Sequence, residues 1–245
     1  MIGSSLELVI AFFVIQMLLS QHLKFKVLIL LCAFLLPQTT YAEESSMKIV
    51  ALGDSTTAGT PYFQSSIQRP PSGGGNPEAQ YMYWIQKKHP NWNFLNRGMP
   101  GERIDQIESR FERDVLREKP DVVIVLGGVN DLYQGYSPEW IETHLQNIYE
   151  RAVQANIRVM MLTVLPYNQS DEGVKTRMKK VNDWIRSFSK EHSLGFADTY
   201  AVAEDPAHPG NLSGTPDGLH PDIRTCQKVG EAVARELEDW LKLSR

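Results

Sequence analysis

The chain has 245 residues, of which 42% are hydrophobic and 22% charged, with a formal net charge of −4. That balance is ordinary for a soluble globular protein of one domain, and the acidic excess excludes the electrostatic footprint of a nucleic-acid partner.

The first 42 residues differ in character from the rest. Two apolar runs, LELVIAFFVIQMLL and VLILLCAFLLP, flank the polar stretch SQHLKFK, and neither alone reaches the roughly 18 to 20 apolar residues of a membrane span. From Met17 the order is that of a secretory signal: Lys24 and Lys26, an apolar core from Val27 to Leu36, then TTYA with small residues at Thr40 and Ala42. The reading is a signal peptide over residues 1–42, cleaved after Ala42, and a catalytic domain over 43–245 in the periplasm or outside the cell. Met1 to Gln16 then reflects an upstream start codon, and an uncleaved membrane anchor is the alternative. Leu31 before Cys32 speaks against a lipoprotein, where a small residue is wanted. Cleavage would remove Glu7, Lys24 and Lys26, leaving a net charge of −5, and would leave Cys226 without a disulfide partner. Stability must then come from a packed core, which about 200 residues suffice to build.

Past the signal, β-rich runs alternate with amphipathic segments. MKIVALG (47–53), NFLNRG (93–98), DVVIVLGG (121–128), IRVMMLTVLP (157–166) and LGFAD (194–198) read as strands. The third and fourth are nearly continuous apolar runs, as expected of strands buried on both faces. Helical patterns cover roughly 77–89, 104–117, 138–154, 171–191 and 223–243. The last is plainest, with Ile223, Cys226, Val229, Val233, Leu237 and Trp240 at steps of three and four. The alternation predicts an α/β fold: a three-layer α/β/α sandwich on a parallel five-stranded sheet, with sites at the carboxyl ends of its strands. The stretch TPYFQSSIQRPPSGGGNPEAQ (60–80) is long and rich in Pro, Gly and Ser, and it leaves the sheet edge where a site would sit.

Directly after the first predicted strand comes GDSTTAG, Gly53 to Gly59. A serine at such a turn can be a nucleophile, a phosphate-binding hydroxyl or a helix cap. The phosphate loops fail because the Lys of G-x-x-x-x-G-K-[ST] and the spacing of G-x-G-x-x-G are missing, and Thr57 stands where the elbow G-x-S-x-G needs its second Gly. Three further segments lie at or just beyond predicted strands or ahead of the last helix: NRGMPGERI, GGVND and DGLHP. Gly-Asp-Ser, Asn-x-Gly-x-x-Gly, Gly-x-Asn-Asp and Asp-x-x-His-Pro, in that order over the whole mature part, closely resemble the SGNH, or GDSL, hydrolase superfamily of esterases and lipases.

The resemblance implies a flavodoxin-like sheet and a serine esterase that works through an acyl-enzyme. Ser55 would be the nucleophile, His220 its base and Asp217 the acid that orients the base. The oxyanion hole would comprise the N–H groups of Ser55 and Gly101 and the side chain of Asn130. Within NRGMPG, Gly98 directly follows the strand and stands as the other candidate; aligning Asn96 with the family's Asn points to Gly101. Asp54 and Asp131 suit loop ordering through backbone bonds better than acid chemistry. His22, His89, His144 and His192 are scattered, without metal-ligand spacing, and no metal or cofactor is implied.

The pattern Asp-x-x-His-Pro occurs twice, at Asp205/His208 and at Asp217/His220. Asp205 precedes Pro206, and His208 is followed by Gly, Asn and Ser, a turn with nothing to fix the imidazole and a flexible rim of the same pocket. Asp217 and His220 stand just ahead of a helix with a continuous apolar face, which can hold a catalytic group to about 0.5 Å.

Length and the early Gly-Asp-Ser-Thr resemble the bacterial lysophospholipase and thioesterase branch, which implies a lipid acyl ester as substrate and contact with a membrane surface. The same superfamily includes carbohydrate O-acetyl esterases, the alternative reading. Tyr62, Phe63 and Tyr133 are the expected substrate-binding residues, with Tyr136 beside them, and the insertion at 60–80 departs from the compact members of that branch. The chain is expected to act as a monomer on a small-molecule or lipid ester. A non-catalytic binding module on the same fold is the alternative of another class, against which the four intact blocks argue.

Overall fold

The β-rich runs assemble into one parallel sheet in a computed structural model, which describes residues 46–168 and 170–243 together with Phe13, Val14 and Met17. The expected signal segment therefore lies, but for those three residues, outside the described residues. The strands are β1 (Met47–Gly53), β2 (Trp92–Gly98), β3 (Val122–Leu126), β4 (Arg158–Leu162) and β5 (Gly195–Ala197). They run parallel in the order β2-β1-β3-β4-β5, the flavodoxin-like arrangement of a doubly wound sheet. The direction of winding reverses at β1, and its last residue, Gly53, pairs in register with Gly98 of β2 and Leu126 of β3. Three chain segments thus leave the sheet together at its switch point.

Alternate residues of each strand feed two cores. Val50 and Leu52 of β1 and Val123 and Val125 of β3 pack beneath α3 (Ile104–Ser109), α4 (Phe111–Asp114), α6 (Pro138–Gln154) and α7 (Glu172–Glu191). Ile49, Ala51, Val122 and Ile124 pack on the other face beneath α2 (Tyr81–Lys88) and α9 (Ile223–Leu243). Three short helices, α1 (Ser55–Ala58), α5 (Val129–Tyr133) and α8 (Thr199–Ala203), follow strands β1, β3 and β5. Among the described residues no helix is long and apolar enough to cross a membrane.

The helix over 138–154 has the ends read from the sequence, with Ser137 accepting the N–H of Trp140 and Pro138 opening the first turn, and the last helix starts at the expected Ile223, capped by Asp222 through the Thr225 N–H. The single helix expected over 104–117 does not form. It breaks at Arg110 into α3, α4 and a 3-10 turn at Leu116–Glu118, and the Arg110 guanidinium is turned inward to the strand ends at Gly53 and Arg97. The 60–80 stretch folds back as an antiparallel ribbon of Phe63–Gln64 with Gly74–Gly75. Its Ser65 hydroxyl, fully buried, donates to the Gly98 carbonyl at 2.6 Å, and Ser66 donates to the Asn96 carbonyl at 2.8 Å. The insertion is thereby fastened to the edge strand β2.

Candidate active site

Ser55 opens α1 immediately after β1. Asp54 caps that helix, its Oδ1 accepting the Thr56 N–H at 2.9 Å. This is the ordering role expected of it rather than acid chemistry. Burial pushes the Asp54 carboxyl up to about 7, helped by the nearby Asp131 charge and opposed by the Thr56 N–H and by Arg110.

The Ser55 hydroxyl lies 2.9 Å from Nε2 of His220, and Nδ1 of His220 lies 2.7 Å from Oδ2 of Asp217. With the ring proton on Nδ1 toward the carboxylate, Nε2 is left as an acceptor for the serine O–H. The carboxylate is held in turn: its Oδ1 accepts the N–H groups of Leu219 and His220 at 2.9 and 2.8 Å. Desolvation pushes Asp217 up, but the bonds from the His220 ring and these two N–H groups outweigh it and hold the carboxyl down at about 2. The loop is anchored on both sides. Thr215 Oγ1 accepts the Gly218 N–H at 2.8 Å, the Asn168 N–H donates to the Gly218 carbonyl at 2.8 Å, and Asp222 caps α9 through the Thr225 N–H at 2.7 Å.

The twin motif makes the same local bond. His208 Nδ1 lies 2.8 Å from Asp205 Oδ2, whose Oδ1 accepts the Ala207 N–H. The expectation that nothing fixes this imidazole is therefore corrected, since a three-residue spacing on a turn is enough to form the pair. What separates the two is position. The His208 side chain is 70% exposed, against 14% for His220, and among the described residues its Nε2 makes no hydrogen bond. The next residues, Pro209 and Gly210, line a charged cleft of about 700 Å³ against Lys175, Lys179 and Arg186.

Of the two candidate glycines, Gly98 already spends its N–H on Asn96 Oδ1 at 2.9 Å, and an added Cβ there would sit 2.2 Å from the Ala58 nitrogen. Its smallness lets β2 touch α1. Gly101 has φ +79°, open space around it, and an N–H that donates to no group among the described residues. Asn130, in the first turn of α5, donates from Nδ2 to the Glu102 carbonyl at 2.8 Å, which places its side chain beside Gly101 and leaves one amide hydrogen for a ligand. Asp131 holds the Ile104 N–H at 3.0 Å, and burial pushes its carboxyl upward. Ser55, Gly101 and Asn130 thus carry N–H groups available for an anionic oxygen.

The expected substrate-binding residues separate. Tyr62 is 41% and Tyr133 65% exposed. Tyr133 meets the ring of buried Tyr167 edge-on at 6.2 Å, while Tyr136 carries Arg103 over its face. Phe63 turns under the ribbon and lines a cavity of about 500 Å³ with Tyr83, Phe94, Gln80 and Asn93. Tyr167 and Asn168 escaped the sequence reading; their signal was their place just past β4, at the carboxyl edge of the sheet. Among the described residues no group of three or more His, Cys, Asp or Glu side chains is placed to hold a metal ion.

A family model for GDSL-like lipases and acylhydrolases matches residues 51–225. The chain belongs to this family. It is a carboxylic ester hydrolase of the SGNH superfamily. An acetylxylan esterase of Geobacillus stearothermophilus is 23% identical to the hydrolase over 166 residues, 60% of this chain and 74% of that protein. A G-D-S-L family protein from Desulfitobacterium hafniense superposes with a TM-score of 0.65 at 26% identity, over 78% of this chain and 99% of its own. The solved Geobacillus acetylxylan esterase superposes with a TM-score of 0.63 at 20% identity, over 79% and 94%, and at that identity it speaks for the fold.

Proposed function

We propose that the hydrolase cleaves acetyl esters on carbohydrate through a covalent Ser55 acyl-enzyme. The observation that carries the catalytic part is the unbroken chain from Asp217 through His220 to Ser55, 2.7 and 2.9 Å long. His220 takes the proton as Ser55 Oγ attacks the acyl carbon, the N–H groups of Ser55 and Gly101 and the Asn130 amide receive the oxyanion, and His220 returns the proton to the leaving alcohol. Water then enters by the same route, deprotonated by His220, and releases the acid. Asp217 holds the ring in the tautomer each step needs.

Two observations favour a sugar as the alcohol. The curated relative named above is an acetylxylan esterase. The cavity beneath the 60–80 insertion, which none of Ser55, Gly101, Asn130 or His220 lines, combines aromatic faces (Phe63, Tyr83, Phe94) with neutral amides (Gln80, Asn93) and no charged side chain, a surface suited to neutral hydroxylated rings of a substrate extending past the ester. A lipid acyl ester is the second reading, favoured by Met82 and Leu95 in the same lining, which would accept methylenes. Hydrolysis of p-nitrophenyl esters from two to sixteen carbons, with acetylated xylan and lysophosphatidylcholine alongside, tests the choice: activity that falls with chain length and extends to the xylan is expected, and a preference for long chains would overturn it. Labelling by an organophosphonate, lost in Ser55→Ala, tests the nucleophile. The export signal over residues 1–42 belongs to the same proposal, since a polymeric substrate lies outside the cytoplasm; N-terminal sequencing of the secreted or periplasmic protein should begin at Glu43.

A further inference from the structure

Among the described residues the most heavily bonded buried cation is Arg110, whose side chain is only 5% exposed. It stands at the break between α3 and α4, and its guanidinium makes four hydrogen bonds, to Gly53, Arg97, Glu102 and Asp114. Nη2 donates to the Gly53 carbonyl at 2.7 Å, the last of β1 and two residues ahead of Ser55. Nη1 donates to the Arg97 carbonyl at 2.8 Å, at the end of β2 and ahead of the Gly98–Gly101 turn. Nε donates to Glu102 Oε2 at 2.6 Å, and the backbone carbonyl of that same Glu102 accepts the Asn130 amide at 2.8 Å. Asp114, 2.7 Å from Nη1, supplies the other counter-charge.

A helix interrupted to turn an arginine inward sacrifices regular hydrogen bonding and desolvates a charge, and two carboxylates are recruited to balance it. Two of the bonds so formed go to the chain just ahead of Ser55 and of Gly101, and a third goes to Glu102, whose carbonyl accepts the Asn130 amide. We propose that Arg110 is a positioning residue for the oxyanion hole, its guanidinium setting the spacing between the three donors. This rests on reading those groups as the donors. A planar fork is required, because each N–H leaves in a fixed direction from one rigid plane; a lysine keeps the charge but holds its donors on a single flexible point and cannot span the three acceptors. Glu102 links the fork to the hole, gripping Arg110 with its side chain and Asn130 with its carbonyl.

The test compares Arg110→Lys and Glu102→Gln with Asn130→Ala in the full chain, reading kcat and KM for p-nitrophenyl acetate, the inhibition constant of a trifluoromethyl ketone whose hemiketal oxyanion fills the hole, and the melting temperature. Loss of a single oxyanion donor lowers turnover about 10²- to 10³-fold. Arg110→Lys is expected to lower kcat toward that range, to weaken the ketone by the same factor and to leave KM close to its original value. Glu102→Gln, which keeps shape and fold, should show a smaller loss of kcat with the same parallel weakening of the ketone. The proposal is overturned if both variants keep ketone affinity and kcat while Asn130→Ala loses them, or if kcat per folded, phosphonate-titratable site is undiminished. Should Arg110→Lys not fold, Glu102→Gln decides alone. An Asn130→Ala variant with unchanged kcat and unchanged ketone affinity would instead remove the donor reading, and this inference with it.

Discussion

Replacing each histidine of the twin motifs by alanine puts the geometry to a direct test, because local bonding is the same in both and only the wider surroundings differ. In His220→Ala the base 2.9 Å from the Ser55 hydroxyl is gone, and no other imidazole is bonded to that oxygen among the described residues. A positioned general base is worth roughly 10² to 10⁴ in rate. The upper end applies here, because the serine depends on this one contact for activation and the ring is already held by Asp217. A loss of about 10⁴ corresponds to about 5.4 kcal/mol in the barrier. In His208→Ala a ring that is 70% exposed loses a bond to Asp205 and leaves no buried group unpaired, so kcat/KM and the melting temperature should both stay in place. The assay is p-nitrophenyl acetate hydrolysis at neutral pH, normalised to folded protein by circular dichroism. The reasoning is refuted if His208→Ala loses activity while folded, or if folded His220→Ala retains most of its turnover. Asp217→Asn and Asp205→Asn extend the comparison, with a loss of order 10⁴ expected for the first from the wrong imidazole tautomer and none for the second.

The two glycines of the second block should respond in opposite ways. Gly98→Ala forces a Cβ to within 2.2 Å of the Ala58 backbone and should give little folded protein on expression. Gly101→Ala meets open space at φ +79°, costs about 1 to 2 kcal/mol of backbone strain, and should fold with a reduced kcat; equal kcat in folded Gly101→Ala and the parent would point away from its N–H. Because Asp54 is raised to about 7 by burial while an unfolded Asp titrates near ~3.9, its contribution to stability is fully present below the unfolded value and is lost as pH rises through the folded one. Asp54→Asn keeps the acceptor for the Thr56 N–H without the titration, so the melting temperature of the parent should fall relative to this variant between about pH 4 and 7; parallel curves would contradict the assignment. Phe94→Ala, in the neutral cavity under the insertion, should raise KM for acetylated xylan and leave p-nitrophenyl acetate kinetics alone. An equal effect on both substrates would show that the cavity does not hold the sugar.

Much of the architecture was legible because it is written in short-range terms. The β-rich apolar runs and the period-3.6 patterns located five strands and the long helices, two of which the structure caps with Ser137 and Asp171. The four chemical blocks fell at strand ends or ahead of α9, where a doubly wound sheet places its site. The helix over 104–117 failed for a reason that periodicity does not encode: Arg110 bonds carbonyls of two strands brought near only by the sheet. The insertion at 60–80 had composition but no period, and the bond from its buried Ser65 to the Gly98 carbonyl of β2 fastens it in place.

The amino-acid order alone determined which residues can form an Asp–His pair, since a three-residue spacing on a turn closes that bond wherever it occurs, at 205–208 and at 217–220 alike. It also marked Gly98 and Gly101 as the glycines that could matter. Tertiary structure decided between the members of each pair. Gly98 is consumed by its packing on α1 and its bond to Asn96, leaving Gly101 free. Ser55, 165 positions away along the chain, is carried by β1 to His220 and to no other imidazole among the described residues. A hydrogen bond between neighbours on a turn is a local property, whereas bringing a serine to one histidine rather than another depends on how the whole sheet is ordered.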